Sequence, residues 1–335
     1  MSGRGLRFVT RIDAAVHGLR ARWGRWAGRV PTVVPFIGYG GDGWIRVLGR
    51  VVLRKPGRAP ADRFTSVRGW RSFTSIPVRD AVVTVTANDT TGQVHGDPGG
   101  VIDARFEVRL PPGWSSVRLS IEGHDGVDFP VFVVDEAATF GVVSDVDDTV
   151  MVTALPRPFL AAWNSFVLDE HARTPVAGMA VLYERLVRAN PDAPVVYLST
   201  GAWNVVPTLT RFLGRNLYPR GPLLLTDWGP SHDRWFRSGP EHKRISLERL
   251  ASEFPRIRWL LIGDDGQHDE RIYGDFVRRH PDHVRAVAIR RLTPGEAVLA
   301  GGRASVEPQG DQPVPWVYAP DGAGLSAQLG ALGLL

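Results

Sequence analysis

After residue 139 the sequence alternates between short apolar segments and longer amphipathic segments, and this alternation limits the possible folds more than any other feature. Five apolar segments predict strands: 140–145, 194–199, 222–226, 258–263 and 284–289. Four segments with helical periodicity predict helices: 175–189, 203–213, 241–252 and 269–279. We expect Thr174 to cap the first helix, with Pro175 in its first turn. Strands alternating with helices predict an α/β domain with a Rossmann-like parallel sheet, which we assign to residues 138–295.

The sequence before this domain follows a period of two. Five short segments predict strands: 44–53, 81–87, 105–110, 117–122 and 128–134. We expect the third and fourth of these to form an antiparallel pair joined by Pro111-Pro112-Gly113. Short strands separated by turns, with no helical segment between them, are typical of a β-sandwich, which we assign to residues 33–137. Residues 296–335, which are rich in glycine and proline, form a C-terminal extension with no predicted role.

Residues 1–32 combine basic side chains with an apolar stripe. Seven arginines lie among the first 30 residues, against one acid, Asp13. Apolar residues recur there every three or four positions: Ile12, Val16, Leu19, Trp23 and Trp26. A basic helix with this apolar face fits the surface of an anionic membrane. A helix packed on the protein's own body explains the same pattern, and both interpretations stay open.

An acidic cluster directly follows the first predicted strand of the α/β domain. It consists of Asp145, Asp147 and Asp148. Closely spaced carboxylates repel one another unless a positive charge neutralises them, and open α/β sheets bind ligands at the carboxyl ends of their strands. The cluster therefore indicates a cation site with a reactive carboxylate, although an acidic loop without a ligand would have the same local sequence.

Polar residues also follow two other predicted strands. The Ser-Thr-Gly sequence at 199–201 carries hydroxyl and amide groups that suit phosphate oxygens, or the cap of the next helix. Asp264 and Asp265 form a second acidic cluster, and His268 follows as a hydrogen-bonding or substrate-facing residue. Lys243 lies near the start of a predicted helix, where it offsets negative charge or is an ordinary surface lysine. These features place candidate phosphate-binding groups and acidic groups after separate predicted strands.

The composition restricts the chemistry of such a site. The chain contains no cysteine, which excludes a thiolate nucleophile and a cysteine-ligated metal. Oxygen ligands in this number point to Mg²⁺ rather than to zinc. The net charge of +5 fits a phosphorylated substrate or an anionic membrane surface. It would also fit nucleic acid, but no other feature of the sequence supports that partner, so we do not expect nucleic-acid binding. No stretch reaches the ~18 apolar residues of a spanning helix, so we expect a cytoplasmic protein that can bind the inner face of the membrane.

The order of these features resembles the four motifs of the haloacid-dehalogenase-like phosphatases: Asp-x-Asp-x-Thr, then Ser, then Lys, then Gly-Asp-Asp. More narrowly, the strings SDVDDTV (144–150), YLS (197–199) and LIGDDGQHD (261–269) are similar to the catalytic domain of the actin-patch phosphatidate phosphatase family. The resemblance covers residues 139–295. Thr200 and Asp265 depart from the family pattern, which more often has Asn and Ser at these positions.

The resemblance implies a catalytic role for several residues. Asp145 would attack phosphorus and form an aspartyl-phosphate, while Asp147 would act as general acid and then as general base. Ser199 and Lys243 would hold the oxygens of the transferred phosphoryl group. The remaining residues expected to face phosphate or substrate are Thr149, Thr200, Gly201 and His268.

The same resemblance implies a bound Mg²⁺ ion. In the family, the backbone carbonyl of the residue at position 147 also binds the metal. The expected ligands are therefore Asp145, Asp147 and Asp264, together with Asp265 or Asp269. The sequence leaves the choice between the last two open.

The resemblance makes phosphatidate, or a related phospholipid phosphomonoester, the expected substrate of a Mg²⁺-dependent phosphohydrolase. Residues 150–174 lie where the superfamily carries its cap, and a small cap leaves an open site. This insertion and the segment 228–237 carry aromatic and arginine side chains, which suit a phospholipid head group but also a packed flap and a surface loop. The alternatives are a soluble phosphomonoesterase for sugar phosphates or nucleotides and a non-enzymatic metal-binding adaptor.

Overall fold

A computed structural model gives the structure of the protein and describes residues 26, 28–55, 76–152, 174–226, 239–266, 268–299, 302 and 312–335. Three predicted features lie largely or wholly outside the described residues. They are the N-terminal amphipathic segment, the insertion at 150–174, of which residues 153–173 are not described, and the aromatic segment 228–237.

The described residues form two compact units. The first contains those up to Val133, together with Ala202–Pro207 and Thr226. The second contains the described residues of Val134–Gly201, Thr208–Leu225 and Gly239–Leu335. Both acidic clusters belong to the second unit.

The first unit is built from strands. Hydrogen bonds link its nine described strands into one sheet: β1 Val30–Pro35, β2 Gly38–Gly41, β3 Trp44–Arg54, β4 Ile76–Pro77, β5 Val82–Ala87, β6 Thr90–His95, β7 Val101–Glu107, β8 Gly113–Ser120 and β9 Val127–Val133. Alternate side chains enter the core, as in β5, where Val83, Val85 and Ala87 are buried. A β-sandwich consists of two separate sheets, whereas these hydrogen bonds connect all nine described strands. The predicted sandwich is therefore not confirmed and stays a prediction.

The prediction that strands 105–110 and 117–122 pair with each other across Pro111-Pro112-Gly113 is wrong. β7 ends at Glu107 and pairs with β3, whereas β8 begins at Gly113 and pairs with β5 and β9. A tight hairpin turn favours positive φ at its central residues, but proline holds φ at roughly −65°. The two prolines therefore lead the chain away from β7 instead of reversing it beside that strand.

The second unit contains a parallel sheet. The strands after β9 are β10 Phe140–Asp145, β11 Met151–Val152, β12 Thr174–Pro175, β13 Val195–Ala202, β14 Leu223–Thr226, β15 Arg258–Asp264, β16 Val284–Arg290 and β17 Trp316–Ala319. Six of these described strands form a sheet in the order β14-β13-β10-β15-β16-β17, and the pairs from β13 to β17 are parallel. The central strands β10 and β15 are buried along nearly their whole length, as expected when helices cover both faces. The predicted α/β class with a parallel sheet is confirmed.

Helices connect these strands. The described ones are α1 Met179–Ala189, α2 Val206–Arg215, α3 Gly239–Glu253, α4 Asp269–Arg279, α5 Pro294–Leu299 and α6 Gly322–Ala331, with 3₁₀ helices at Trp203–Val205 and Pro281–His283. Among the described residues, no helix has both the length and the apolar character needed to cross a membrane.

The first helix of the second unit begins later than predicted. Thr174–Pro175 is extended and pairs with Met151–Val152, in line with the bias of a residue before proline away from the helical conformation. Gly178, at φ 70°, directly precedes Met179, the first residue of α1. The predicted cap at Thr174 is therefore wrong.

The C-terminal segment completes the second unit. β17 adds to the sheet beside β16, and α6 packs against α1 and β17. Gly322 permits this packing, since a Cβ at that position would lie 2.2 Å from the carbonyl carbon of Gly178. Gly322 also donates its N–H to the carbonyl of Ala177 at 2.9 Å. The second unit accordingly continues past residue 295 to Leu335.

Candidate active site

The parallel sheet brings three polar motifs to one edge. β10 lies between β13 and β15, and the three strands run in the same direction. Asp145 lies opposite Leu198 of β13, and Ser144 lies opposite Ile262 of β15. The polar residues that follow Leu198 and Ile262 therefore lie beside the first acidic motif. This is the edge at which open α/β sheets bind their ligands.

Three carboxylates at this edge lie close enough to share one metal ion. Oxygen atoms of Asp145, Asp264 and Asp269 are all within 4.8 Å of one another, and the three side chains are buried. Asp269 comes from the first turn of α4, and its Oδ2 is buried without a hydrogen-bond partner. A buried carboxylate oxygen without a partner is costly. Together with the all-oxygen donor set, it fits a hard divalent cation.

Lys243 of α3 supplies a positive charge to the same cluster. Its Nζ lies 2.6 Å from Oδ1 of Asp145 and 2.5 Å from Oδ1 of Asp269. Burial lowers the pKa of Lys243, but the charges of these two carboxylates outweigh burial and raise the pKa above its usual value. Lys243 is therefore an ammonium ion at neutral pH.

One ammonium does not compensate the whole cluster. Burial raises the pKa of Asp145 well above its usual value, with Lys243 opposing this shift and Asp269 adding to it. Burial, followed by repulsion from Asp269, raises the pKa of Asp264 to about 8. The carboxylates therefore need further positive charge to be ionised together at neutral pH, which a divalent cation would supply.

Asp147 is hydrogen-bonded to the neighbouring strand. The hydroxyl of Ser199 donates to Oδ2 of Asp147 at 3.1 Å, and its oxygen accepts from the N–H of Gly201 at 3.0 Å. Ser199 is buried, so these two bonds determine its orientation. The proton of Ser199 is directed at the carboxylate, which fixes one side of the Asp147 side chain.

The predicted substrate-binding threonines lie in different surroundings. The hydroxyl of Thr149 is 3.3 Å from Oδ2 of Asp145, and Thr149 is fully buried, so it supports the candidate nucleophile from within the fold. Thr200 is half-buried beside the start of α3, where a Cβ at Gly239 would lie 2.6 Å from Cγ2 of Thr200. Gly239 therefore lets α3 begin close to the Ser-Thr-Gly motif.

Asp265 does not belong to the group of three carboxylates. Its Oδ1 accepts from the N–H of Leu292 at 2.8 Å, and its own N–H donates to the carbonyl of Arg290 at 3.0 Å. The structure thus gathers Asp269, the other candidate that the sequence leaves open. The sequence carries one signal that favours Asp269 over Asp265. Asp269 is the first residue of a predicted helix, and His268 directly precedes it.

Comparison with known proteins supports the resemblance. Residues 140–291 match the family model described as phosphatidate phosphatase APP1, catalytic domain. Phosphatidate phosphatase APP1 of Saccharomyces cerevisiae is 22% identical over 199 residues, which cover 58% of this chain and 34% of the yeast protein. An uncharacterized protein of Schizosaccharomyces pombe is 24% identical over 151 residues, which cover 44% of this chain and 24% of that protein. The chain therefore spans at most about a third of the length of these curated relatives.

Among solved structures, the HAD domain of the effector protein Lem4 from Legionella pneumophila aligns with a TM-score of 0.31 and 14% identity, covering 49% of this chain and 91% of that chain. The segment matched by the family model contains all the predicted site residues, from Asp145 to Asp269. Residues 140–291 of the chain are therefore similar to the catalytic domain of phosphatidate phosphatase APP1.

Proposed function

We propose that the second unit is a Mg²⁺-dependent phosphatase of the haloacid-dehalogenase type, which acts on phosphatidate or a related phospholipid phosphomonoester. The observation that carries this proposal is the contact of Lys243 with Asp145 inside the buried cluster of carboxylates. Phosphoryl transfer depends on charge neutralisation and in-line positioning. The ammonium of Lys243 supplies positive charge beside the candidate nucleophile Asp145, and its contact restricts the orientation of that carboxylate. The family match and the name of the yeast relative support the substrate class.

In the first proposed step an oxygen of Asp145 attacks phosphorus, and the bond between phosphorus and the leaving oxygen breaks. Asp147 donates its proton to that oxygen, so that the lipid leaves as a neutral alcohol. The hydrogen bond from Ser199 to Asp147 supports this role, because it restricts the orientation of the carboxyl group. Lys243 then contacts the phosphoryl oxygens, on which negative charge is concentrated, and Ser199 joins it when its one proton turns from Asp147 to a phosphoryl oxygen.

In the second proposed step a water molecule attacks the phosphorus of the aspartyl-phosphate, and the bond between phosphorus and Asp145 breaks. Asp147, now a carboxylate, accepts a proton from the water. Inorganic phosphate is released and the carboxylate of Asp145 is restored. Thr149 and Lys243 hold Asp145 through both steps, which their contacts with its two oxygens support.

The proposed metal site consists of Asp145, Asp264 and Asp269, and the resemblance adds the carbonyl of Asp147. A bound Mg²⁺ would neutralise charge on the carboxylates and on the phosphoryl oxygens. We favour Asp269 over Asp265 as the third carboxylate, because the carboxylate of Asp265 accepts from Leu292.

Two other functions compete with this proposal. A soluble phosphomonoesterase would use the same chemistry on sugar phosphates or nucleotides. A non-enzymatic metal-binding adaptor is disfavoured by Lys243, since an ammonium that competes with the metal for Asp145 brings no advantage to a protein that only binds metal. For the lipid phosphatase we propose a cytoplasmic protein that contacts the inner face of the membrane peripherally through its basic N-terminal segment.

The experiment that tests the function measures phosphate release from a panel of substrates, with Mg²⁺ and with a chelator. The panel contains phosphatidate in vesicles, lysophosphatidate, a sugar phosphate, a nucleotide and 4-nitrophenyl phosphate. We expect Mg²⁺-dependent release with the highest kcat/KM on phosphatidate. Higher kcat/KM on the sugar phosphate or the nucleotide would favour the soluble enzyme, and no release from any substrate would favour the adaptor.

A further inference from the structure

Arg290 is a buried cation that the proposed mechanism does not use. It is the last residue of β16 and is only 5% exposed. Its guanidinium donates to three separate segments: Nη1 to the carbonyl of Asp148 at 2.7 Å, Nη2 to Oε1 of Glu296 at 2.7 Å and Nε to the carbonyl of Pro320 at 3.2 Å. A planar guanidinium suits such a junction, because its donors point in fixed directions. Arg290 thus connects the first acidic motif to two segments nearer the C-terminus.

Asp148 belongs to the tight turn that follows Asp147. Its φ of 59° lies in the left-handed region, which residues other than glycine adopt when surrounding contacts enforce it. The N–H of Asp148 donates to the carbonyl of Met151 at 2.7 Å, and Arg290 binds its carbonyl. Both backbone polar groups of Asp148 are therefore engaged, which determines the path of the chain immediately after Asp147.

Other side chains hold the same segment through its carbonyls. The hydroxyl of Ser144 donates to the carbonyl of Asp145 at 2.6 Å, and the hydroxyl of Tyr218 donates to the carbonyl of Val150 at 2.9 Å. Arg290 acts between these two points, at the turn itself. The segment from the candidate nucleophile to the end of the turn is thus anchored at three carbonyl groups.

Arg290 also reaches the second acidic motif, through its own backbone. It lies opposite Asp264 in the ladder between β15 and β16, and its carbonyl accepts from the N–H of Asp265 at 3.0 Å. One residue therefore contacts both of the segments that carry the candidate nucleophile and the acidic residues of β15.

Glu296 holds the guanidinium from outside the segment matched by the family model, which ends at residue 291. While its Oε1 accepts from Arg290, its Oε2 accepts from the N–H of Thr293 at 2.8 Å, and the N–H of Glu296 donates to Oγ1 of Thr293 at 3.3 Å. This reciprocal pair is a capping box for α5 and restricts the carboxylate. The ion pair also offsets the cost of burying the cation, and Pro320, between β17 and α6, provides a further acceptor.

We propose that Arg290 is a positioning residue, held by Glu296 and Pro320, which fixes the turn after Asp147 and thereby the orientation of the general acid. The inference rests on the proposed function, because it acts through proton transfer by Asp147. Loss of such a residue should lower the rate most for substrates whose leaving group must be protonated as it departs. An alkyl phosphate needs this proton, whereas 4-nitrophenyl phosphate releases a stabilised phenolate.

The test compares Arg290→Lys and Glu296→Gln with Arg291→Lys in the full-length chain. Arg291 is the exposed neighbour of Arg290 and provides a matched control. We expect Arg290→Lys to lower the burst-phase rate, which reports the first step, by about tenfold or more on an alkyl phosphate and far less on 4-nitrophenyl phosphate, with a weaker effect of the same kind for Glu296→Gln. In an Asp147→Asn background this selectivity should disappear, since the general acid is already absent. Arg291→Lys should leave both rates unchanged.

Hydrogen exchange adds a readout that needs no turnover. The amides of residues 146–151 should exchange faster in Arg290→Lys than in the wild type, while those of β15 keep their protection. Equal losses of the burst-phase rate on the two substrates, or unchanged exchange at 146–151, would overturn the positioning role. A wild-type protein that hydrolyses neither substrate would instead refute the proposed function, and exchange alone would then show whether Arg290 holds the turn.

Discussion

The ammonium of Lys243 contacts the carboxylate of Asp145 at 2.6 Å inside the second unit, where both side chains are almost completely buried. Lys243 belongs to α3 and Asp145 to the end of β10, so the contact joins a helix to the central strand of the sheet. Lys243 also contacts Asp269 of α4. A single cation therefore links three elements at the candidate active site.

Replacing Lys243 with methionine should weaken both the fold and the activity. Removing one partner of a buried ion pair leaves uncompensated charge and costs about 3–5 kcal/mol. We expect Lys243→Met to lower the free energy of unfolding by this amount at pH 7, as measured by denaturant titration, and to remove phosphatase activity. The control is Lys55→Met, since Lys55 is exposed and its loss should change stability by less than about 0.5 kcal/mol. Similar stabilities for the two variants would contradict the role given to Lys243.

Replacing Asp145 with asparagine should remove turnover while the fold is retained. An amide is a poor nucleophile and a weaker metal ligand, so we expect kcat to fall at least about a thousandfold. Circular dichroism should show an unchanged secondary structure. Substrate labelled with ³²P should label the wild-type chain transiently and leave Asp145→Asn unlabelled. Retention of most of the activity in this variant would disprove the aspartyl-phosphate mechanism.

The role of Asp147 as general acid predicts a dependence on the leaving group. Asp147→Asn should lower kcat on an alkyl phosphate about 10²–10⁴-fold, the usual contribution of a general acid. The loss should be much smaller on 4-nitrophenyl phosphate, whose leaving group needs no proton in the first step. Steady-state and burst-phase measurements on both substrates separate this step from hydrolysis of the intermediate. Equal losses in the burst phase would rule out the assignment.

The packing of the C-terminal helix predicts that one glycine is essential and another is not. A Cβ at Gly322 would lie within 2.4 Å of backbone atoms of Gly178 and Met179, whereas a Cβ at Gly330 meets its nearest atom, in Leu335, at 4.0 Å. Gly322→Ala should therefore lower the free energy of unfolding by about 1–3 kcal/mol or more. Gly330→Ala, in the same helix, should be neutral or slightly stabilising. Thermal melts of both variants measure the difference, and equal effects would contradict the packing of α6 against α1.

The ion pair between Glu296 and Arg290 predicts a dependence of stability on pH. Burial tends to raise the pKa of Glu296, but hydrogen bonds from Arg290 and Thr293 outweigh burial and lower the pKa below its usual value. A carboxyl group with a lowered folded-state pKa stabilises the protein above its unfolded-state pKa, and this contribution is lost as the pH falls through the folded-state pKa. Glu296→Gln should therefore destabilise the protein more at pH 7 than at pH 3. Denaturant titrations at both pH values test this, and a larger effect at pH 3 would show that the sign is wrong.

Much of the second unit could be predicted because its signals are local. The apolar segments and their helical neighbours follow from the spacing of side chains along a few turns or a single strand, and α4 has the predicted bounds of 269–279. The first acidic motif could be located for the same reason, since it directly follows an apolar strand. The start of α1 at Met179 and the partner of β7 were predicted wrongly. Both depend on where an extended segment finds a hydrogen-bonding partner far away in the sequence.

The sequence by itself determined which chemical groups the protein has and their order: two acidic motifs, a serine and a lysine, each next to a strand or at a helix start. Only the tertiary structure decided which of them meet. It gathers Asp269 with Asp145 and Asp264, directs Asp265 to Leu292, and brings Arg290 to the turn after Asp147. It also makes the C-terminal segment part of the sheet, beside β16. These relationships depend on strand register and on the packing of helices against the sheet, which join residues far apart in the chain and leave no periodic trace in the local sequence.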